Sequence, residues 1–184
     1  MSKLPIQRIQ GSDIQLEPFS CQFVTIDYLR WMNDKETTRF IQKAQGKTSI
    51  DDLHSFVNQM IDSDLDYFFA ILLKKDQRHV GNVRLGPIDF ISKKSNFGIM
   101  IGEKDLRGCG VGTEVVELIK QFSFEYLDLD RLSFPVVKKY LAAMKLYEKT
   151  GFTISGSIDQ TFNKNGKSWE LIEYSMDNPY RIEN

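Results

Sequence analysis

The residues best suited to chemistry are Arg107-Gly108-Cys109-Gly110-Val111-Gly112-Thr113, preceded by Glu103 and followed some thirty residues later by Tyr147. Three alternating glycines lead straight into an amphipathic run, so the loop opens onto a helix start. A helix start presents backbone N–H groups without intrahelical partners at the positive end of the helix dipole. Glycine lets an anion approach that backbone closely. The pattern predicts a seat for a phosphate-bearing ligand.

Glycine loops that hold phosphate come in several forms. A P-loop requires four residues between its first glycine and a Gly-Lys-Ser/Thr triplet, and the chain has no such run. A dinucleotide fingerprint would begin at Gly108 and Gly110 but meets Thr113 where the third glycine belongs, and it follows several strands instead of opening the first βα unit. The form present is R-x-x-G-x-G, over Arg107 to Gly112.

The elements that must position these residues follow from apolar periodicity. Ile9 to Phe19 alternates like a strand. Phe23 to Trp31 and Lys35 to Gln42 read as short helices. Ser49 is an N-cap, with Asp51 and Asp52 in the first turn, for a helix reaching about Ile61. Tyr67 to Leu73 is a buried strand, and Val80 to Phe90 and Ser95 to Ile101 are two more. Val111, Val115, Leu118, Ile119, Phe122 and Tyr126 keep helical spacing. Arg131 to Val137 is strand-like, yet Pro135 removes a ladder donor, so pairing must open on one side. Lys139 to Thr150 is helical and stops at Gly151. Phe152 to Phe162 and Ser168 to Met176 form a hairpin around Asn165-Gly166. The order predicts one mixed α/β domain over 1–184.

Together with Ala142-Ala143-Met144-Lys145-Leu146-Tyr147-Glu148-Lys149-Thr150-Gly151-Phe152, the glycine loop resembles the GNAT superfamily of acyl-CoA-dependent N-acetyltransferases. The resemblance runs from about Gly11 to Met176. Trp31-Met32-Asn33-Asp34, Ile101-Gly102-Glu103 and Gly166 are similar to the branch of ribosomal-protein N-terminal acetyltransferases and of amino-sugar acetyltransferases. It implies a central mixed, mostly antiparallel sheet of about seven strands with a V-shaped splay, and helices on both faces.

The resemblance also implies roles. The amides of Arg107, Gly108, Cys109, Gly110, Val111, Gly112 and Thr113 would hold the coenzyme A diphosphate. Met100, Ile101 and Gly102 would pair with the pantetheine arm, and one N–H there would polarise the thioester carbonyl. Tyr147 would protonate the departing thiolate. Tyr140, Ala143 and Tyr147 share a helix face. Tyr140 stands where the family commonly has an Asn, so that side-chain hydrogen bond to the cofactor would be lost, and the ring would either stack on the adenine or pantetheine or cover the surface. Glu103 is the first candidate base and Asp89 the second, with a water chain as a third arrangement. Trp31 and Asn33 would wall the acceptor pocket. The implied reaction is direct attack by a primary amine on acetyl-CoA in a ternary complex. The acceptor is expected to be a small molecule such as an amino sugar or nucleotide-linked amino sugar, a protein N-terminus or a non-catalytic coenzyme A-binding module being the alternatives.

Composition sets the remaining expectations. The 184 residues carry a formal net charge of −1, with 41% hydrophobic and 27% charged side chains. That balance argues against non-specific nucleic-acid binding. No apolar run approaches membrane-span length, and the first residues lack a signal-like stretch. Cys21 and Cys109 lack metal-ligand spacing and are expected to be reduced thiols in the cytoplasm. No metal site is expected. His54 and His79 read as surface residues, and Lys74-Lys75 and Lys93-Lys94 as solvated turn charges. A monomer or homodimer is expected.

Overall fold

The structure, a computed structural model, describes residues 4–41, 46–164 and 166–181. Its strands fall into two sheets. The first is β1 (Ile9–Gln10), β2 (Ile14–Pro18), β3 (Tyr67–Leu73), β4 (His79–Leu85) and β6 (Phe97–Ile101), antiparallel throughout. The second is β5 (Lys94–Ser95), β7 (Arg131–Val137), β9 (Lys167–Asp177) and β8 (Thr153–Lys164). Only the two-residue contact of β5 with β7 is parallel. This is the mixed, mostly antiparallel α/β arrangement expected, with nine described strands where about seven were anticipated.

Helices cover both faces of the first sheet, and β3 demonstrates why. Its residues are buried throughout, as a continuous apolar run requires. Phe68, Ala70 and Leu72 pack with Tyr28 and Trp31 of α1 (Ile26–Asn33) and with Leu53, Val57 and Met60 of α2 (Ile50–Asp62). Tyr67, Phe69, Ile71 and Leu73 point the other way, into the core with Val115, Val116 and Ile119 of α3 (Val111–Gln121) and Tyr147 of α4 (Leu141–Lys149). Period-two alternation divides one strand between two cores.

The two sheets meet at a splay. β5 pairs with β7 at Lys94–Arg131 and Ser95–Leu132, and the rings of Phe97 and Phe134 lie 4.5 Å apart just beyond. From there β6 pairs with β4 and β7 with β9, leaving their facing edges without a shared ladder. Antiparallel ladders alternate inward and outward backbone groups. Gly102 donates to Val80 O and Lys138 to Glu170 O, so by alternation Ile99 and Ile101 on one side, and Ser133 and Pro135 on the other, face the gap. Pro135 thus lacks its N–H where no ladder bond exists to lose.

Several elements match expectation and several do not. Ser49 caps α2 with a reciprocal capping box to Asp52. Gly151 ends α4 in a Schellman arrangement at φ +88°, with Phe152 N–H donating to Tyr147 O and Gly151 N–H to Glu148 O. Gly166 takes the turn conformation at φ +71°, while Asn165 lies outside the described residues. Ile9 to Phe19 is a hairpin, not one strand. Glu114 of α3 accepts the N–H groups of Ser12, Asp13 and Ile14 and pins its turn. Residues 35–40 form successive turns rather than a helix: the Asp34 carboxylate binds the N–H and hydroxyl of Thr37, and after one i+4 bond from Thr38 to Asp34 O the chain closes with i+3 bonds at Arg39 and Ile41; Gln42 lies outside the described residues. The strand expected to reach Phe90 ends at Leu85, before Gly86-Pro87.

Candidate active site

The glycine loop keeps amides without acceptors over a narrower span than expected. Gly108 and Gly110 have φ of +80° and +92°, and a Cβ at either would meet open space. Glycine is there for backbone conformation, and the space beside it is accessible. Gly110 begins α3 with no side-chain cap. The N–H groups of Arg107 and Cys109 turn inward to Lys104 O and Leu106 O at 3.2 and 3.3 Å. Those of Gly108, Gly110, Val111, Gly112 and Thr113 meet no acceptor among the described residues, whereas Glu114 N–H resumes the helical pattern onto Gly110 O. Four of these donors open α3, and donors at a helix N-terminus suit a phosphate-bearing ligand. A Cβ on Gly112 would sit 3.4 Å from Leu146, so this glycine also lets α3 approach α4.

The Arg107 side chain does other work. Its guanidinium donates to Ile101 O, to Thr37 Oγ1 at 2.7 Å and to Glu36. Lys104 pairs with Glu36 and Asp34. These bonds strap residues 34–38 across the end of β6. Hydrogen bonds from Thr37, aided by Lys104, hold the Asp34 carboxyl down to about 2. Cys109 and Cys21 are exposed free thiols, and Cys109 Sγ lies 3.4 Å from Asp105 O within the loop.

Tyr147 occupies the floor of the splay, buried among Phe97, Phe134, Phe152 and Tyr174. The Schellman closure after Thr150 fixes the backbone from which it projects. Burial pushes its phenol well above the ordinary tyrosine range. Its hydroxyl has no hydrogen-bond partner among the described residues. A phenol in that state stays protonated at neutral pH. Ala143 lies partly buried on the same helix.

At the end of β6, Gly102 and Trp31 explain each other. A Cβ on Gly102 would overlap the indole of Trp31, so the glycine admits the ring. Trp31 Nε1 and Arg30 both donate to Glu103 Oε1, at 2.9 and 2.7 Å. Because Gly102 spends its N–H on Val80, and alternation turns Met100 toward β4 as well, the amides facing the splay are those of Ile99 and Ile101. Asp89 is not beside the splay chemistry: its carboxylate closes its own turn on Ile91 N, Ser92 N and Ser92 Oγ, which holds its carboxyl below the usual range.

Asn33 borders a cleft of about 760 Å³, but its amide is spent on the chain, bonding Leu29 O and both backbone groups of Thr48. Tyr140 stacks on Phe40, centroids 4.7 Å apart, and Phe40 in turn meets Phe162 and Trp169. This aromatic cluster joins the 35–41 segment to the last hairpin. Sequence reasoning missed it because Phe40 lies a hundred or more residues from the other three. It also missed Lys164, whose buried ammonium donates to Thr38 O and Ile41 O. His79 is not a surface residue: it starts β4 inside a cage of Phe19, Phe23, Tyr28 and Trp31, and burial lowers its pKa.

The arrangement is thus a loop of amides without acceptors among the described residues, beside a strand splay with Tyr147 on its floor. The family model of the acetyltransferase (GNAT) domain matches residues 15–153, and the chain belongs to this family of acyltransferases. A probable N-acetyltransferase of Bacillus subtilis, YjcK, is 30% identical over 112 residues, 61% of this chain and 61% of that protein. The matched stretch therefore spans less than two thirds of that relative. The acetyltransferase PseH of Campylobacter jejuni is 31% identical over 128 residues, 68% of this chain and 74% of the relative. The crystal structure of spermidine N-acetyltransferase from Vibrio cholerae, in complex with CoA and spermine, superposes with a TM-score of 0.82 at 20% identity, covering 91% of this chain and 97% of that one. Among the described residues, no helix is long and apolar enough to cross a membrane.

Proposed function

We propose that this protein transfers the acetyl group of acetyl-CoA to a primary amine of a small molecule by direct attack. The observation that carries the reading is the set of five unspent amides at Gly108 and residues 110–113, opening beside the splay that Tyr147 floors. Acetyl-CoA supplies an activated thioester. The loop amides hold its diphosphate, and the outward amides of Ile99 and Ile101 line the arm toward the thioester and polarise its carbonyl. Tyr147 keeps its proton until the thiolate leaves, then donates it. Glu103 receives the proton of the incoming ammonium through Oε2, since Arg30 and Trp31 both bind Oε1.

Within the family, the acceptor assigned here is an amino sugar or nucleotide-linked amino sugar. The cleft bordered by Trp169 and Thr38 supports a compact acceptor with a ring to stack. The test is release of free thiol from acetyl-CoA against a panel of amines, alongside calorimetric titration with coenzyme A. Turnover on a small amine with tight coenzyme A binding is the expected result. Coenzyme A binding without turnover on any acceptor would leave a binding module instead, and turnover confined to peptides would redirect the reading to protein N-termini.

A further inference from the structure

The cleft of about 760 Å³ is lined by Lys35, Arg39, Lys47, Lys164 and Lys167, together with Met32, Asn33, Thr38, Gly46 and Trp169. No carboxylate is among these residues. None of the five cations lies within ion-pair distance of a described carboxylate, although the chain as a whole balances 24 Lys and Arg against 25 Asp and Glu. Charge has been segregated. The neighbouring basic side chains Lys104 and Arg107 are neutralised by Asp34 and Glu36, and Lys138 by Glu170. Inside the cleft, Lys164 is buried and held by two backbone carbonyls that orient its ammonium, while burial lowers its pKa from the ordinary lysine value. Trp169 offers an aromatic face, backed by Phe40 and Phe162.

From this arrangement we infer that the amine acceptor carries a multiply charged anionic group, of the phosphate-ester or diphosphate kind, seated among Lys35, Lys164 and Lys167 with its ring against Trp169. Five like charges in one cleft repel a polycation and attract a dianion, and the partly enclosed setting raises both effects above their value in open water. A polyamine is thereby excluded as the acceptor, although spermine is the compound named in the solved complex of the Vibrio cholerae protein. The acceptor's amine depends on the acetyl-transfer reading; the anion's seat depends on the cleft alone.

The test is calorimetric binding in saturating coenzyme A, which fills the glycine loop and leaves the cleft as the anion site. The probes are glucosamine, glucosamine 6-phosphate, the corresponding 6-carboxylate and spermidine. Glucosamine 6-phosphate is expected to bind about tenfold tighter than glucosamine, the effect of two or three partly exposed ion pairs. The carboxylate is expected between them. Lys35→Glu with Lys167→Glu should erase the preference while coenzyme A affinity stays within about twofold, since those pairs lie off the loop. If the double reversal does not fold, Lys35→Gln with Lys167→Gln replaces it, and loss of the preference in the wild-type protein between low and high salt is a readout that needs no variant. Equal binding of the phosphorylated and neutral sugars, a preference that survives the substitutions, or tighter binding of spermidine would overturn the inference. Failure of coenzyme A to bind would instead overturn the acetyl-transfer reading. The cleft would then be measured without coenzyme A in a Gly110→Val background, where the loop is disabled.

Discussion

Two regions of this molecule are proposed anion sites, and they would work by opposite means. At the glycine loop the attraction comes from backbone: five N–H groups at the start of α3, with nearby Arg107 and Lys104 tied to Glu36 and Asp34. At the cleft it comes from side chains: five cations with no described carboxylate to match them. The difference teaches what each region can recognise. Amides on a rigid helix start hold one fixed geometry, suited to a cofactor that never changes. Lysines on flexible stems accept anions of varied shape, suited to a variable acceptor, and their attraction is screened by salt.

The comparison can be broken in several places. The largest effect is expected from Gly110→Val. A β-branched residue at φ +92° is strained by roughly 2 kcal/mol and displaces the helix start, so coenzyme A affinity should fall about 30-fold in calorimetry. Phosphosugar binding at the cleft should persist. Unchanged coenzyme A affinity would show that the loop is only a connection. Tyr147→Phe comes next: turnover should fall about tenfold or more with coenzyme A affinity retained. Its activity should also lack an alkaline decline below about pH 10 from this group, because burial raises the folded-state phenol pKa. A decline near neutrality that Tyr147→Phe removes would contradict that assignment.

Smaller effects sharpen the contrast. Raising salt from about 0.05 to 0.5 M should weaken phosphosugar binding severalfold and coenzyme A binding less, since oriented amides lie closer to their ligand than exposed lysines do. A larger loss for coenzyme A would reverse the comparison. The smallest effect concerns the strap. Asp34 has a depressed folded-state pKa of about 2, so its contribution is present above the unfolded value of about 3.9 and is lost as pH falls through the folded one. The strap should therefore hold at pH 5 and release between about pH 4 and 2. Hydrogen exchange at residues 36–39 should report it, and Asp34→Asn should remove that acid-dependent step. Persistence of the step in Asp34→Asn would assign it to another group.

Much of the fold was legible because local signals and tertiary outcome agreed. Ser49 with Asp52, Gly151 after α4, and the unbroken apolar run of β3 each specify their structure within a few residues. Asp34 shows the limit. Its carboxylate takes the N–H of Thr37 as a helix cap would, yet Arg39 and Ile41 then close i+3 bonds and residues 35–40 remain turns. His79, next to Arg78 in sequence, reads as exposed until four aromatic rings, Phe19 and Phe23 from the segment after β2 and Tyr28 and Trp31 from α1, close over it. The loop was legible, yet which of its amides were spent was not, since Lys104 O and Leu106 O become acceptors only once the 104–106 turn forms.

The order of the chain by itself determined the glycine conformations at 108 and 110, the helix that follows and the tyrosine placed to act on it, because dihedral sterics and periodicity act over a handful of residues. Only tertiary structure decided that Trp31 rests on Gly102 and braces Glu103, that Ile99 and Ile101 face the splay, and that Lys35, Lys164 and Lys167 share one unneutralised cleft. Those facts depend on strand register and on segments over a hundred positions apart, and no local preference carries that information.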